Sequence, residues 1–236
     1  MRQIFRVDLK NGFVIKGRQF EGWRKICTVD ELVGKISRDI LDEIFVIDCT
    51  ASLYDRQIDL ESIRKISLAY NIPITVGGGI RSMADIDRCF DSGADKVYIN
   101  SMLFKDALLV ASAAKKYGSQ AIVGGLTVKV RPSGQECLHT YGREPTKLIF
   151  RQHVSLLEDL GCGELAVTSI DRDGSSLGLD YQLAADVSAY SKLPFVIHGG
   201  ANKTDFVDQK FAAAYAIEGL SGVSSSKFFY QQSGLI

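Results

Sequence analysis

The chain of 236 residues lacks several features that would assign it to a class of protein. Lys and Arg together number 28, and so do Asp and Glu, so the formal net charge is zero. No electrostatic attraction to nucleic acid or to an acidic membrane is therefore expected. No apolar run is long enough to span a membrane, and the first residues enter a strand-like segment without the apolar region of a signal peptide.

Cysteine usage is sparse and shows no pairing pattern. The five cysteines, at positions 27, 49, 89, 137 and 162, form no Cys-x-x-Cys pair, and their number is odd. This usage is typical of reduced thiols in a cytoplasmic protein. His, Cys and carboxylate residues do not occur together at metal-ligand spacing, so the sequence predicts neither a metal nor another cofactor.

Glycine-rich segments are the most informative feature that is present. An apolar run leads into glycines 77–79, and the next apolar run ends at Asn100-Ser101. The pattern returns 121 residues later, where Val196-Ile197-His198 leads into Gly199-Gly200 and the next run ends at residues 224–226. Glycine lets the backbone approach an anion closely, and free N–H groups at a helix start favour negative charge. The repeat predicts two phosphate cradles, and hence a ligand with a phosphate at each end.

Strand-like runs alternate with helix-like spans along the whole chain. The eight expected strands are Ile4–Leu9, Ile44–Asp48, Ile74–Val76, Lys96–Ile99, Ala121–Leu126, Glu164–Thr168, Phe195–Ile197 and Gly219–Val223. The expected helices include Leu60–Tyr70, Met83–Ser92, Lys105–Tyr117, Lys147–Leu160 and Thr204–Ala214, with Ser82 and Thr204 as candidate N-caps. Eight such units predict an α/β fold with one domain over residues 1–236, a (β/α)8 TIM barrel built from two half-barrel repeats, with its site at the C-terminal strand ends.

Two connections are longer than a βα unit needs. Residues 10–22 follow the first strand, and residues 130–143 follow the fifth. Long loops on this face commonly hold or cover substrate; the alternative is a surface hairpin.

Carboxylates end three of the expected strands. Asp8 is the best candidate for a general acid or base, whereas Asp48 and Asp171 could equally anchor loops by accepting backbone N–H bonds. The position that corresponds to Asp8 in the second half of the repeat is Thr127. Threonine does not act as a proton donor near neutral pH, so a pair of carboxylates is absent.

Together these segments resemble the cyclase subunit of imidazole glycerol phosphate synthase, from histidine biosynthesis. The resemblance covers nearly the whole chain and is carried by Val7–Gly12, Val76–Ile80, Gly93–Val97 and Thr168–Gly174. It implies that Asp8 and Thr127 occupy the positions of the catalytic acid pair and Lys16 that of the loop lysine. It further implies a first phosphate site at Gly79, Asn100 and Ser101, and a second at Asp173, Gly174, Gly200, Ser225 and Ser226.

The resemblance also implies a partner. In that family the barrel accepts ammonia from a separate glutaminase subunit, which makes a heterodimer, and a ring of charges gates the barrel entrance. The ring corresponds to Arg2, Glu43, Lys96 and Glu164, and the positions that meet the glutaminase to Asp95 and Gln120. Without the resemblance, charges at that face would suggest only stability.

Departures from the family pattern leave alternatives open. Thr127 replaces one acid, His198 replaces a small residue and is either a phosphate ligand or a spacer, and the last helix is short. These features resemble paralogues from surface-polysaccharide gene clusters, which supply ammonia to a sugar amidotransferase. The alternatives are a true cyclase in histidine synthesis, a single-chain phosphosugar isomerase and a non-catalytic scaffold.

Overall fold

The computed structural model describes residues 1–207, 214 and 216–236. Its strands are β1 Arg2–Lys10, β2 Phe13–Arg18, β3 Glu21–Thr28, β4 Glu43–Asp48, β5 Ile74–Gly77, β6 Lys96–Ile99, β7 Ile122–Arg131, β8 Gly134–His139, β9 Glu144–Pro145, β10 Glu164–Ser169, β11 Phe195–His198 and β12 Leu220–Ser225. Its helices are α1 Val29–Val33, α2 Leu60–Tyr70, α3 Met83–Asp91, α4 Ala107–Tyr117, α5 Phe150–Asp159, α6 Tyr181–Tyr190, α7 Lys203–Val207 and α8 Lys227–Gln232.

Eight parallel strands close into a barrel, as the sequence predicts. Their order is β1, β4, β5, β6, β7, β10, β11 and β12, and β12 pairs with β1. Because β5 and β11 are four strands apart in a ring of eight, the two glycine-rich turns that follow them lie on opposite sides of the barrel. The (β/α)8 TIM barrel is therefore confirmed.

Acidic and hydroxyl side chains set the helix starts. Asp59, Asp106 and Asp180 accept from backbone N–H groups in the first turns of α2, α4 and α6, and Ser82 forms a capping box with Asp85 at the start of α3. The Asp106 cap explains why α4 begins at Ala107 rather than at residue 105 as expected.

The N-cap expected at Thr204 is wrong. Helix α7 begins at Lys203, and Oδ1 of Asn202 accepts from the backbone N–H of Asp205 at 3.2 Å. Asn202 therefore caps this helix. Most of the helix expected over residues 204–214 lies outside the described residues.

Hydrophobic residues form a core on each side of the strands. The larger core lies between strands and helices and includes Val7, Val46, Ile66 and Val154. Inside the barrel, a small apolar layer contains Ile4, Phe45, Val123, Ala166 and Val196.

Tyr98 fills the barrel interior above that apolar layer. A Cβ atom added to Gly77 would lie 2.6 Å from Cδ1 of Tyr98, and one added to Gly125 would lie 2.5 Å from its hydroxyl oxygen. Two glycines, on the strands either side of β6, therefore make room for one large ring, and the interior is a packed core rather than a pore.

Both long connections fold as β-hairpins. Strands β2 and β3 replace the loop expected over residues 10–22, and β8 pairs back onto β7. The two hairpins meet over the C-terminal face, where Phe20 stacks on Tyr141 with ring centroids 4.3 Å apart. Of the two alternatives the hairpin is correct, and both hairpins also cover the barrel end. Among the described residues no helix is long and apolar enough to cross a membrane.

Candidate functional site

The C-terminal face of the barrel holds two cavities, one at each glycine-rich turn. Cavity one is lined by residues that include Arg6, Asp48, Gly79, Tyr98, Ser101 and Thr127. Cavity two is the smaller and is lined by residues that include Lys16, Asp173, His198, Gly200, Ser225 and Ser226. The predicted phosphate residues thus divide between the two cavities as the repeat implies.

In cavity one, the residues predicted to bind the first phosphate already make some hydrogen bonds within the protein. The Gly79 N–H, in a turn with φ +77°, donates to Oγ of Ser52 at 2.9 Å. Ser101 Oγ accepts from the Thr140 N–H at 3.0 Å, so its own hydroxyl proton is left to donate. Asn100 donates to Oγ1 of Thr127 at 3.1 Å, while its Oδ1 is buried without a hydrogen bond.

Asp8 lies at the end of β1 and is paired with a residue that the sequence analysis did not single out. Nε of Arg6 donates to Oδ1 of Asp8 at 2.9 Å, and both side chains are almost completely buried. Nη1 of Arg6 lies 3.4 Å from Oγ1 of Thr168, and Nη2 makes no hydrogen bond to any described residue. Asp8 is therefore one half of a buried ion pair.

Arg6 could have been found from the strand period. Side chains at Arg2, Ile4, Arg6 and Asp8 point to the same face of β1, because successive residues alternate. Once Asp8 is placed in the barrel interior, an arginine two residues earlier must lie there too. A charge at that depth calls for a partner.

Thr127 faces cavity one from the opposite side of the barrel. Strand β7 is four strands from β1 in the closed order, so Thr127 and Asp8 occupy opposed strand ends. On the Asp8 side, Cys49 is fully buried, and burial is the main cause of its thiol pKa lying well above the usual value. No second carboxylate among the described lining residues of cavity one stands in for Thr127, since Asp48 is engaged elsewhere.

Asp48 and Asp171 anchor loops. Asp48 pairs with Arg56 through both carboxylate oxygens, at 2.6 and 2.7 Å, and accepts from the backbone N–H groups of Thr50 and Ala51. Asp171 accepts from the Val130 N–H at 2.7 Å and so holds the β7–β8 hairpin. Of the two interpretations left open for these residues, the hydrogen bonds favour the structural one.

Lys16 lies in cavity two. Its Nζ is 2.8 Å from Oδ1 of Asp173, and both side chains are buried. Although burial opposes it, the Lys16 ammonium is the largest of the groups that hold the pKa of Asp173 well below its usual value, and His198 adds to this effect. The β2–β3 hairpin is fixed to the same loop, because the Gln19 N–H donates to the Asp173 carbonyl at 3.1 Å.

The remaining groups of cavity two are turn glycines and serines. Gly174 and Gly200 have φ values of +68° and +87°, which favour glycine. Ser225 Oγ accepts from the Phe228 N–H at 3.3 Å, whereas Ser226 Oγ is buried without a hydrogen bond. The cavity thus offers two lysines, Lys16 and Lys227, a hydroxyl that no described residue engages and close backbone, a combination suited to a phosphate group.

At the opposite end of the barrel, the four predicted gate residues form a closed ring of ion pairs. Arg2 contacts both Glu43 and Glu164, and Lys96 Nζ lies 3.1 Å from Glu43 and 2.8 Å from Glu164. Thr75 also donates to Glu43 at 2.6 Å. Each acid is therefore shared by two bases. The sequence predicts that the first strand begins at Ile4, so that Arg2 lies ahead of it, but Arg2 is the first residue of β1.

The two predicted interface residues lie at the same end. Oδ2 of Asp95 accepts from the Ile74 N–H at 2.8 Å, and Nε2 of Gln120 donates to the Tyr117 carbonyl at 3.2 Å. Both therefore stabilise local backbone, whatever else they contact.

Among the described residues no group of three His, Cys, Asp or Glu side chains could hold a metal ion.

Comparison with known proteins places this geometry in a family. The profile of a family described as histidine biosynthesis protein matches residues 3–234. The imidazole glycerol phosphate synthase subunit HisF of Chlorobium luteolum is 34% identical over 230 residues, which cover 97% of this chain and 90% of the relative. The proteins of the same name from Pyrobaculum aerophilum and Chlorobium limicola are each 35% identical, over 89% and 96% of this chain and 84% and 89% of theirs.

Proposed function

The chain belongs to the histidine biosynthesis protein family, and from that membership we propose that it is the barrel subunit of a glutamine amidotransferase complex and binds a ligand with a phosphate at each end. The observation that carries this proposal is the pair of cavities on opposite sides of one barrel mouth. Each holds positive-φ glycines and hydroxyl groups, and each contains one buried base, Arg6 or Lys16.

We propose that the ring of Arg2, Glu43, Lys96 and Glu164 faces a glutaminase subunit, with Asp95 and Gln120 at the contact. The ring is closed in the structure, so ammonia that arrives there passes only when a base such as Lys96 swings aside. Tyr98, which fills the interior above, must move as well.

The five cysteines are free and buried, which supports a cytoplasmic location.

We further propose that the chain has lost ring closure. Closing an imidazole ring needs proton transfers on both sides of the reacting group, and general acid–base catalysis typically contributes ~10²–10⁴-fold to rate. Here Thr127 replaces one acid, and the other, Asp8, is held by Arg6. The same pair of observations argues against a single-chain phosphosugar isomerase. Ammonia released by the partner would then be used by another enzyme. We propose that this enzyme is a sugar amidotransferase of surface-polysaccharide synthesis.

Turnover of the aminoimidazole precursor with ammonia tests this account. We expect no detectable cyclisation by the wild type. Because Arg6 still engages Asp8, Thr127→Asp alone is expected to restore little activity, and Thr127→Asp with Arg6→Ala to restore more. Robust turnover by the wild-type protein would show that it is a working cyclase.

A further inference from the structure

His198 in cavity two is a buried group that the phosphate sites implied by the resemblance do not include. It ends β11, just before the glycine turn, and is 5% exposed. Its Nε2 is buried and has no hydrogen-bond partner among the described residues. The ring lines cavity two beside Ser226, whose hydroxyl is also buried and unpaired. Two unsatisfied polar side chains in one small cavity are unusual in a folded protein and point to a ligand.

The surroundings offer the imidazole more acceptors than its neutral form can serve. Nδ1 lies 3.2 Å from both the carbonyl oxygen and the hydroxyl of Ser224, and Nε2 lies 3.5 Å from Oδ1 of Asp173. A neutral imidazole carries a single N–H, whereas the imidazolium carries two. Only the charged ring can donate at once to Ser224 and towards the cavity.

Burial, with two neighbouring bases, keeps the ring neutral while no anion is bound. Burial is the largest effect, and together with Arg6 on β1 and Lys16 on β2 it lowers the His198 pKa to about 4. Asp173, on the loop after β10, opposes this shift but is itself neutralised by Lys16. Ser224, on β12, adds no charge.

We propose that His198 is a ligand of the second phosphate and takes up one proton from solvent as the phosphate binds, so that Nε2–H donates to a phosphate oxygen. The inference rests on the proposed function, because it assumes that cavity two accepts a phosphate. A phosphate dianion brings two negative charges beside a ring that two bases otherwise hold neutral. No covalent bond forms or breaks; the proton moves from water to Nε2.

Proton uptake predicts that affinity depends on pH. Above pH 7 a phosphate monoester is mainly the dianion, since its second pKa is about 6. Binding that needs a protonated His198 therefore weakens as pH rises, by up to about tenfold per pH unit while the pKa of the bound form lies above the measured pH.

The test is a titration with glycerol 3-phosphate, a phosphate monoester, at pH 7 and pH 8, of Ser101→Asp and of the double variant Ser101→Asp/His198→Gln. Ser101→Asp places a negative charge in cavity one and leaves cavity two as the site measured. Gln retains an N–H donor but cannot be charged. We expect the dissociation constant of the single variant to rise several-fold between the two pH values, and that of the double variant to be weaker at pH 7 and unchanged by pH.

A second measurement needs no substitution at His198. The chain has three histidines, so ¹⁵N spectra of His139→Gln and His153→Phe assign the His198 signals by elimination. At pH 7 we expect a neutral ring without phosphate and two protonated nitrogens at saturation. A His198 ring that stays neutral when phosphate is bound would overturn the inference and leave the proposed function standing. So would equal phosphate binding by Ser101→Asp and by Ser101→Asp/His198→Gln. Absence of any saturable phosphate binding would overturn both.

Discussion

Arg6 and Asp8 lie side by side on the inner face of β1, and their pairing governs what either can do. A carboxylate that accepts from a buried guanidinium at 2.9 Å is half of an ion pair, which must be broken before that oxygen can contact a ligand. The same guanidinium lines cavity one, and its Nη2 makes no hydrogen bond to the described part of the chain, so it can donate to an anionic ligand there. Arg6 thus pairs with the candidate acid Asp8 and also adds a positive charge to cavity one.

The stability of single and double variants tests this pairing. Arg6→Met leaves Asp8 buried without its base, and we expect the free energy of unfolding to fall by about 3–5 kcal/mol. Adding Asp8→Asn removes the stranded charge and should restore most of that loss, as urea unfolding would measure. A single variant as stable as the wild type would contradict the ion pair.

His153 predicts how stability depends on pH. It is fully buried, both ring nitrogens lack partners, and burial, with a smaller effect from His139, lowers its pKa to about 4. The pKa of His198 is lowered to the same value. The unfolded chain binds these protons below pH 6.5 and the native chain does not, so stability falls as pH drops from 6.5 towards 4.

Each of the two histidines should reduce the free energy of unfolding by about 2 kcal/mol between pH 7 and pH 5. His153→Phe keeps an aromatic ring against Phe104 and should remove one half of that combined loss in chemical unfolding at the two pH values. An unchanged difference between pH 7 and pH 5 in this variant would show that His153 is not the titrating group.

At the scale of elements, the turn after β5 is fixed by close approach of the backbone. Gly78 has a φ of +91°, and a Cβ there would lie 2.1 Å from the carbonyl oxygen of Asp48. Gly12, in the β1–β2 turn, has a φ of +77° but nothing within 4 Å of a Cβ. The two positions therefore separate conformational strain from steric clash.

Alanine at these two glycines gives a matched pair. Gly12→Ala should lower the free energy of unfolding by about 1 kcal/mol, because only the left-handed backbone is strained. Gly78→Ala should lower it by about 3 kcal/mol or more, because the β4 and β5 turns must also separate. Thermal unfolding measures both, and equal losses would show that the close approach is absent in solution.

The sequence was a good guide to strands and a poor one to their extensions. All eight barrel strands were predicted, because each is a short apolar run next to a glycine or an acid, as at Glu43–Asp48. The hairpin was only one of two alternatives for residues 10–22, since Lys16 and the glycines beside it suggest a polar loop; burial of Lys16 against Asp173 is a tertiary contact 157 residues away. Helix α6 was missed because its spacing of apolar residues is weak.

The site divides in the same way. Glycines and serines of the two cavities follow from local pattern and from the repeat. The role of the four ring charges is implied only by the family resemblance. Arg6 could have been found from the period of β1, whereas the contact of His198 with Ser224 depends on which strands pair in the closed barrel. Pattern along one strand does not report which strand lies beside it.

At the scale of the whole molecule, the twofold repeat places the two cavities where one ligand could reach both. They follow strands four places apart in the ring, and two hairpins close over the space between them. A ligand with two phosphates would fill both at once, and the second contact would then be intramolecular. Binding at both ends of one ligand is the central claim of this account.

Calorimetric titration with the bis-phosphorylated aminoimidazole precursor, compared with glycerol 3-phosphate, tests that claim most directly. Ser101→Asp and Ser225→Asp each add a negative charge to one cavity while keeping an acceptor for the backbone N–H that the serine now binds. We predict one bis-phosphate per chain, bound at least about 100-fold more tightly than the monophosphate, with most of that advantage lost in either variant. Equal affinities for the two ligands, or a bis-phosphate that neither variant weakens, would contradict the account.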